Sequence, residues 1–332
     1  MNILKTALQL ASSAGGTKLS ILIFHRVLPE PDPIFPDELD ARRFDQMMGW
    51  INTWFNVMPL DAAVDAIKGR NLPARALAIT FDDGYADNRT IALPILKRHG
   101  LSATFFIATG YLDGGRMWND TVTEAIRGCQ AKRLELNHIG ALAGSGLNTL
   151  PIGSVPEKHI AIQTLLGHIK YLPASEREAA SRSIADRCKV NLPDNLMMTS
   201  EQVVEMRRSG MSIGAHTVTH PILAKLQAFD VRKEISESKQ SLESILEEEI
   251  NLFAYPNGKP NLDFQPKDAA IVKELGFKAA VTTAWGVTDS EGDLMQLPRF
   301  TPWDKTRVSF GTRLIRNIVQ NQQLKSSQIL SS

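Results

Sequence analysis

The chain has 332 residues, enough to bury a full core as one large domain or two smaller ones. Its 37 Lys and Arg against 36 Asp and Glu leave a net charge of +1, which excludes the basic field that nucleic acid would need, and 43% apolar content argues against a largely disordered chain. Cys129 and Cys188 are the only cysteines and form no CxxC pair, so a disulfide framework and a thiolate metal site are both excluded. Two free, buried thiols are expected, as suits a reducing compartment.

Met1 to Gly16 places Ile3, Leu4, Ala7, Leu8, Leu10 and Ala11 at helical spacing, interrupted by Lys5 and Gln9. That falls short of a signal-peptide apolar region and suits an amphipathic helix resting on the domain, with weak membrane association as the alternative. No run of 18 or more apolar residues is available to span a membrane. Together with the unpaired cysteines, this favours the cytoplasm. Lys18 to His25 reads as a buried strand, Val27 to Pro36 as a Pro- and Asp-rich loop, and Arg43 to Phe55 as a helix. A second buried strand, Ala76 to Phe81, precedes a helix from Asp87 to His99 that stops at Gly100, and a third strand follows at Ala103 to Ala108. This alternation predicts a parallel α/β sheet or barrel.

From Trp118 to Met198 the pattern is mainly helical, as in Ile160 to Leu172 and Glu176 to Cys188, and predicts a helical insertion at about 118–198. The alternation resumes at Thr199-Ser200-Glu201-Gln202, a capping box opening a helix to Ser209. Met211 to Ala215 is a strand leading straight into His216, and Ala228 to Glu248 is a long charged helix. Strands at Leu252 to Tyr255 and Phe277 to Thr282 flank a helix from Lys267 to Leu275. A helix near Arg313 to Val319 closes a single domain reaching about residue 320, with a frayed tail over 321–332.

Asp82 and Asp83 end the second strand, at the carboxyl end where parallel α/β folds build their sites. Successive strand side chains point to opposite sides, so the two carboxylates are expected to play different roles. Gly84 frees the following turn, and Asp-Asp-Gly alone would also suit a plain turn or a helix cap. His216 and His220 likewise follow a strand, and their i, i+4 spacing lets them meet on one face of a helical turn before Pro221. A lone histidine is more often structural; two at this spacing point to metal. A water-activating divalent ion needs about three protein ligands, an open position and a spare carboxylate as base, which Asp82, Asp83, His216 and His220 together supply. The reading is a metal-dependent hydrolase.

Thr80-Phe81-Asp82-Asp83-Gly84-Tyr85 with His216-Thr217-Val218-Thr219-His220-Pro221 resembles the polysaccharide deacetylase family (the NodB-homology hydrolases, carbohydrate esterase family 4). The likeness extends through Asp87 to Phe106 and to Ala254-Tyr255-Pro256-Asn257-Gly258, covering most of Lys18 to about Phe300 outside the insertion. The resemblance implies a distorted (β/α) barrel of about seven parallel strands. It also implies Asp82 as general base, Asp83, His216 and His220 as metal ligands, and an N-acetylated saccharide as substrate. Zinc is the default ion for that donor set, with cobalt or nickel able to substitute.

Two departures stand out. Ala254 occupies the place of an arginine that orients the base, and no histidine follows His220 to serve as the usual acid. Ile23-Phe24-His25-Arg26-Val27 resembles the N-terminal motif of the poly-N-acetylglucosamine deacetylase branch, which implies His25 as general acid; a core or supporting role is the alternative. Arg299, in Leu297-Pro298-Arg299, resembles that branch's late arginine and would orient Asp82, unless it is a surface residue. His99, His138, His159 and His168 are expected to be structural or exposed, and Tyr111, Trp118 and Trp285 are candidates for stacking on sugar rings or for core packing. The expected activity is removal of N-acetyl groups from N-acetylhexosamine units of a polysaccharide or its lipid-linked precursor. A small-molecule amidase and an inactive carbohydrate-binding module are the alternatives.

Overall fold

The computed structural model describes Thr6, Leu8, residues 17–137, 139–142 and 145–329, with side chains as far as Val319. The helix expected over Met1 to Gly16 therefore lies outside the described residues, apart from Leu8, which packs in the main core, and Thr6; His138 lies outside them too.

Strand β1 (Leu19–Phe24) is buried at all six positions. Helix α1 (Ala41–Trp54) is capped by the Asp40 carboxylate, which accepts from Arg43 N, and buries Phe44, Met47, Met48, Ile51 and Trp54 at helical spacing. Two short elements without a strong sequence signal follow, β2 (Asn56–Val57) and α2 (Leu60–Lys68). After β3 (Ala76–Phe81), the expected helix to His99 opens as a π turn, Asn88–Ala92, before α3 (Leu93–Arg98). Then come β4 (Thr104–Ile107), α4 (Trp118–Gly128), β5 (Arg133–Glu135), β6 (Thr149–Pro151), α5 (Val155–Ile169) and α6 (Ala174–Cys188). Helix α7 (Ser200–Arg208) starts at the capping box of Thr199 and Gln202. The last elements are β7 (Ser212–Ala215), α8 (Ala228–Leu246), β8 (Leu252–Ala254), α9 (Pro266–Glu274), β9 (Ala279–Val281) and α10 (Arg307–Ile329). Where a frayed tail was expected from about Asn321, the backbone is helical as far as Ile329.

Where the sequence suggests one domain carrying an insertion, the described residues divide into two compact units. One comprises Pro31–Glu38 and Asp113–Met197. It buries its own apolar residues, among them Ile34, Val122, Ile126, Leu134, Ile162, Leu165 and Ile184, which is why it stands as a unit rather than a decoration. Its helices are joined by the antiparallel pair β5–β6, and Arg127 bonds Asp32 at 2.6 Å. Cys129 and Cys188 are free and buried inside it, and burial beside Cys129 pushes the Cys188 thiol up to about 12.

The other unit holds the described residues up to Glu30, Leu39–Leu112 and those from Met198 onward. Its seven strands form one parallel sheet in the order β1-β3-β4-β7-β8-β9, with β2 also on β3. Buried on both faces, such strands read as continuous apolar runs. One face carries Leu22, Phe24, Leu77, Ile79, Phe81, Phe105 and Phe253 into a core shared with Phe44, Met206, Val231 and Ile235 of the helices. The other face is built from smaller residues, Ala76, Ala78, Ala254 and Ala279, around Ile21, Phe106 and Val281. Gly214 belongs to this tight interior: a Cβ there would lie 2.5 Å from the Phe106 ring and 2.9 Å from Leu252 O.

One late segment joins the two edges of the sheet. Leu297 pairs in parallel with Val281 of β9, and Phe300 pairs in parallel with Leu22 of β1. Backbone bonds secure both ends, Thr282 N to Leu297 O at 2.8 Å and Phe300 N to Ile21 O at 2.8 Å. The curled sheet of about seven parallel strands is the expected distorted (β/α) barrel. No helix among the described residues is long and apolar enough to cross a membrane.

Candidate active site

Strand alternation carries Ala76, Ala78, Thr80 and then Asp82 along the interior face. Asp82 N donates to Phe24 O at 2.9 Å, continuing the β1–β3 ladder. Arg299 meets it there: Nη1 donates to Oδ1 and Nη2 to Oδ2, both at 2.7 Å. Nη1 also lies 3.2 Å from Thr80 Oγ1, and Nε donates to Thr282 O at 2.8 Å. Arg299 is 0% exposed, so it is no surface arginine. It enters from the segment that joins the sheet edges, while Ala254 sits on the same interior face and leaves the room. Burial by itself would raise the Asp82 carboxyl; the Arg299 guanidinium and His216 outweigh it and hold the group below the ordinary carboxylate range.

Asp83 and Gly84 both take left-handed backbone, φ 78° and 91°, which turns the Asp83 carboxylate away from its neighbour's path. Asp83 Oδ1 is buried without a hydrogen-bond partner, yet lies 3.4 Å from Nε2 of both His216 and His220. His216 Nδ1 lies 2.7 Å from Ala254 O, a carbonyl that can only accept, so Nδ1 carries a proton and Nε2 faces Asp83 as the available ligand atom. Burial by itself would raise the Asp83 carboxyl; the two imidazoles and His25 outweigh it and hold the group far below its usual range. Burial pushes His220 down to about 4, whereas Asp82 and Asp83 raise His216 in spite of its burial.

The donor set fits a divalent cation. The carboxylate and two imidazoles each offer a ligand atom, all within 4.8 Å of one another. A tetrahedral site with bonds of about 2.1 Å has ligand–ligand edges of about 3.4 Å, and an unbonded buried carboxylate oxygen is otherwise costly.

The histidines do not meet on a helical turn, as their spacing suggested. Thr217 and His220 have φ of 65° and 52°, and residues 216–220 form a bend with the two rings 4.8 Å apart. The reason lies in where the backbone bonds go. Glu234 Oε2 of α8 accepts from Val218 N at 2.9 Å and Thr219 N at 2.8 Å, and Oε1 accepts from Thr219 Oγ1 at 2.7 Å. On the other side Thr109 N and Gly110 N donate to Thr217 O and Val218 O at 3.1 and 2.9 Å. A Cβ on Gly110 would stand 2.7 Å from Val218 O. Tyr111, read as a sugar-stacking candidate, donates its hydroxyl to Thr219 O at 2.9 Å and so braces this loop.

His25 follows β1 directly and is exposed, close enough for its charge to act on Asp82, Asp83 and His220. Its carbonyl accepts from Asn88 Nδ2 at 2.8 Å. The next two residues are held by Asp87, whose Oδ2 accepts from Arg26 Nε at 2.8 Å and whose Oδ1 accepts from Val27 N at 3.1 Å. Burial raises the Asp87 carboxyl despite Arg26. Asp87, Asn88 and Glu234 were missed from sequence. The first two stand just beyond the aspartate pair and could have been suspected; Glu234, one acid in a charged helix, gives no local signal. Trp118 belongs to the 113–197 unit and packs against its core with Arg177 over its ring at 5.2 Å. His99 bonds Asp45, His159 bonds Ile34 O and His168 bonds Thr164 O.

A curled parallel α/β barrel with paired carboxylates and two histidines at the carboxyl ends of its strands belongs to the barrel hydrolases. The chain belongs to the polysaccharide deacetylase family, whose sequence pattern matches residues 69–136 and 180–280, about half of it. It is 21% identical over 284 residues to YxkH of Bacillus subtilis (strain 168), covering 85% of this chain and 70% of that protein. Its fold is similar to that of the Streptococcus pyogenes deacetylase PplD in complex with acetate, at 20% identity and TM-score 0.60 over 91% of this chain and 99% of that one. It is similar also to IcaB from Ammonifex degensii, at 19% identity and TM-score 0.57 over 92% and 98%.

Proposed function

We propose that this protein is a metal-dependent N-deacetylase acting on N-acetylhexosamine units of a polysaccharide or its lipid-linked precursor. The observation that carries the reading is Asp83 Oδ1, buried and unbonded, with His216 Nε2 and His220 Nε2 each 3.4 Å away. A divalent cation held by Asp83, His216 and His220, zinc by the nature of the donors, would supply the Lewis acidity that acidifies water and polarises an amide carbonyl.

The chain's own residues account for the protons. Asp82, kept ionised by Arg299, takes the proton released as water oxygen adds to the acetyl carbon. Its fork with Arg299 engages one lone pair on each oxygen and leaves the others free to accept. As the C–N bond breaks, His25 gives a proton to the departing sugar amine, and acetate is released. The Asn88 and Asp87 bonds keep the His25 backbone in place beside Asp82 during this step. Arg299, standing in for the arginine that Ala254 replaces, supports an active centre over a binding-only module.

The test is acetate release from N-acetylglucosamine oligomers by chelator-stripped protein before and after zinc is restored. Zinc-dependent release is expected. Asp82→Asn should lower it at least about 10²-fold with metal content unchanged, the scale of losing a general base, while Asp83→Ala should lose the metal. Full metal content in Asp83→Ala, or zinc-independent release, would overturn the assignment.

A further inference from the structure

Cys129 and Cys188, the two cysteines of the chain, are 3% and 6% exposed and both belong to the core of the 113–197 unit. They stand far apart in sequence, so no local pattern pairs them; the fold does. Cys129 closes α4, its N donating to Ala125 O at 3.1 Å. Cys188 is the last residue of α6, and Lys189 after it turns left-handed at φ 51°. Helices α4 and α6 pack against each other, and the approach is close at these two ends. A Cβ on Gly128, the residue before Cys129, would lie 3.2 Å from Cγ1 of Val190, two residues after Cys188. The side chains themselves meet, and a hydrogen bond joins the two thiols.

Lys158 of α5 attends the pair. Its Nζ donates to Arg127 O at 2.7 Å and to Cys129 O at 2.9 Å, and its charge acts on the Cys188 sulfur. A buried cysteine serves as a small apolar filler, and two fillers have no reason to choose each other. Two thiols in contact beside an ammonium are a different arrangement. The contact supplies the partner sulfur, and the cation favours the thiolate that attacks a disulfide.

We propose that Cys129 and Cys188 are a disulfide pair, which closes by exchange with a disulfide-bearing oxidant and ties the ends of α4 and α6 together. The sulfur of one thiolate attacks the oxidant's disulfide, forming a mixed disulfide and releasing half of the oxidant as a thiol. The second thiolate attacks the protein sulfur of that mixed bond, forming the Cys129–Cys188 bond and releasing the other half. The two protein thiols give up two protons and two electrons; the oxidant's disulfide takes up both and leaves as two thiols. Burial outweighs Lys158 and pushes the Cys188 thiol up to about 12, so thiolate is scarce in the folded unit. Closure is therefore faster while the unit is still folding, and the bond once made is shielded from reducing thiols. It encloses β5, β6 and α5 in one loop, which restrains the unfolded chain and stabilises the unit. The pairing is independent of the function proposed above.

The test uses the full chain, purified reduced, with oxidised glutathione as the oxidant. One sample is held with it in urea below the unfolding transition; another is fully unfolded and refolded in its presence. Maleimide labelling after denaturation counts the remaining thiols, and peptide mass mapping identifies the bond. Both samples should lose both thiols to a peptide pair linking Cys129 to Cys188, the refolded one sooner. The Tm of the oxidised protein should exceed that of the reduced by about 5 °C or more. Cys129→Ala and Cys188→Ala, which keep a small apolar side chain, should each abolish that rise. Where the chain aggregates on refolding, the sample in mild urea decides. Two free thiols after both treatments, or glutathione adducts and chain dimers in place of the link, would overturn the pairing. Closure without a rise in Tm would mean that the fold strains against the bond, and would overturn it too.

Discussion

Asp82, proposed above as the base, is buried, and burial alone would favour its neutral form. Arg299 reverses that, with two 2.7 Å bonds to the two carboxylate oxygens. Replacing it by methionine leaves a buried carboxylate without its counter-ion, and breaking such a pair costs about 3–5 kcal/mol. The Asp82 group is depressed in the folded protein, so its stabilising contribution is present above the unfolded carboxylate value and is lost as pH falls through the lower folded one. In Arg299→Met burial prevails and the group rises, so the acid limb of kcat/KM against pH should move to higher pH. An unmoved limb, with folding confirmed, would mean that Arg299 does not govern the base. A gentler change tests the support of His25. Asn88→Ala removes the 2.8 Å bond to the His25 carbonyl and should lower kcat about tenfold with metal content unchanged, since small displacements of a catalytic group are costly. Retention of kcat would assign Asn88 to folding alone. Asp82, Asp83, His216 and His220 were legible because each pair is a local pattern after a strand. Arg299 was suspected only through resemblance, since its partner is 217 residues away.

At the scale of elements, the two site loops depart from regular structure where the proposed metal ligands sit. Asp83, Gly84, Thr217 and His220 all have left-handed backbone, and such strain persists only when surrounding bonds over-determine it. For the 216–220 loop that bond partner is Glu234, which takes three donors from Val218 and Thr219. Glu234→Ala should therefore weaken zinc affinity about 10–100-fold, the usual effect of losing a partner behind the ligands, as measured by competition with a chelating dye. Unchanged affinity would place the loop's rigidity elsewhere. The i, i+4 spacing suggested a helical turn because spacing alone cannot show that the backbone donors are claimed by another helix. The π turn at Asn88–Ala92 was hidden for a related reason: its sequence is helical, and the Asp87 and Asn88 bonds to the end of β1 coincide with where its ladder changes.

Across the whole molecule, the barrel's interior is made of small residues so that Arg299 and Asp82 can share it. Gly214 is the tightest of these positions, and Gly214→Ala forces a methyl against the Phe106 ring and the Leu252 carbonyl. Overpacking of this kind costs about 1–3 kcal/mol, which should appear as a lowered Tm; a stability equal to wild type would show that the interior yields. The parallel α/β class and the strand ends bearing the carboxylates and histidines were determined by the sequence, because they follow from apolar runs and from residues close together in the chain. The division into two cores, the joining of the sheet edges through Leu297 and Phe300, the burial of Arg299 against Asp82 and the exposure of Trp285 beside Trp303 were decided only by tertiary structure. Each of these depends on which distant surfaces meet, and neither local propensity nor spacing carries that information.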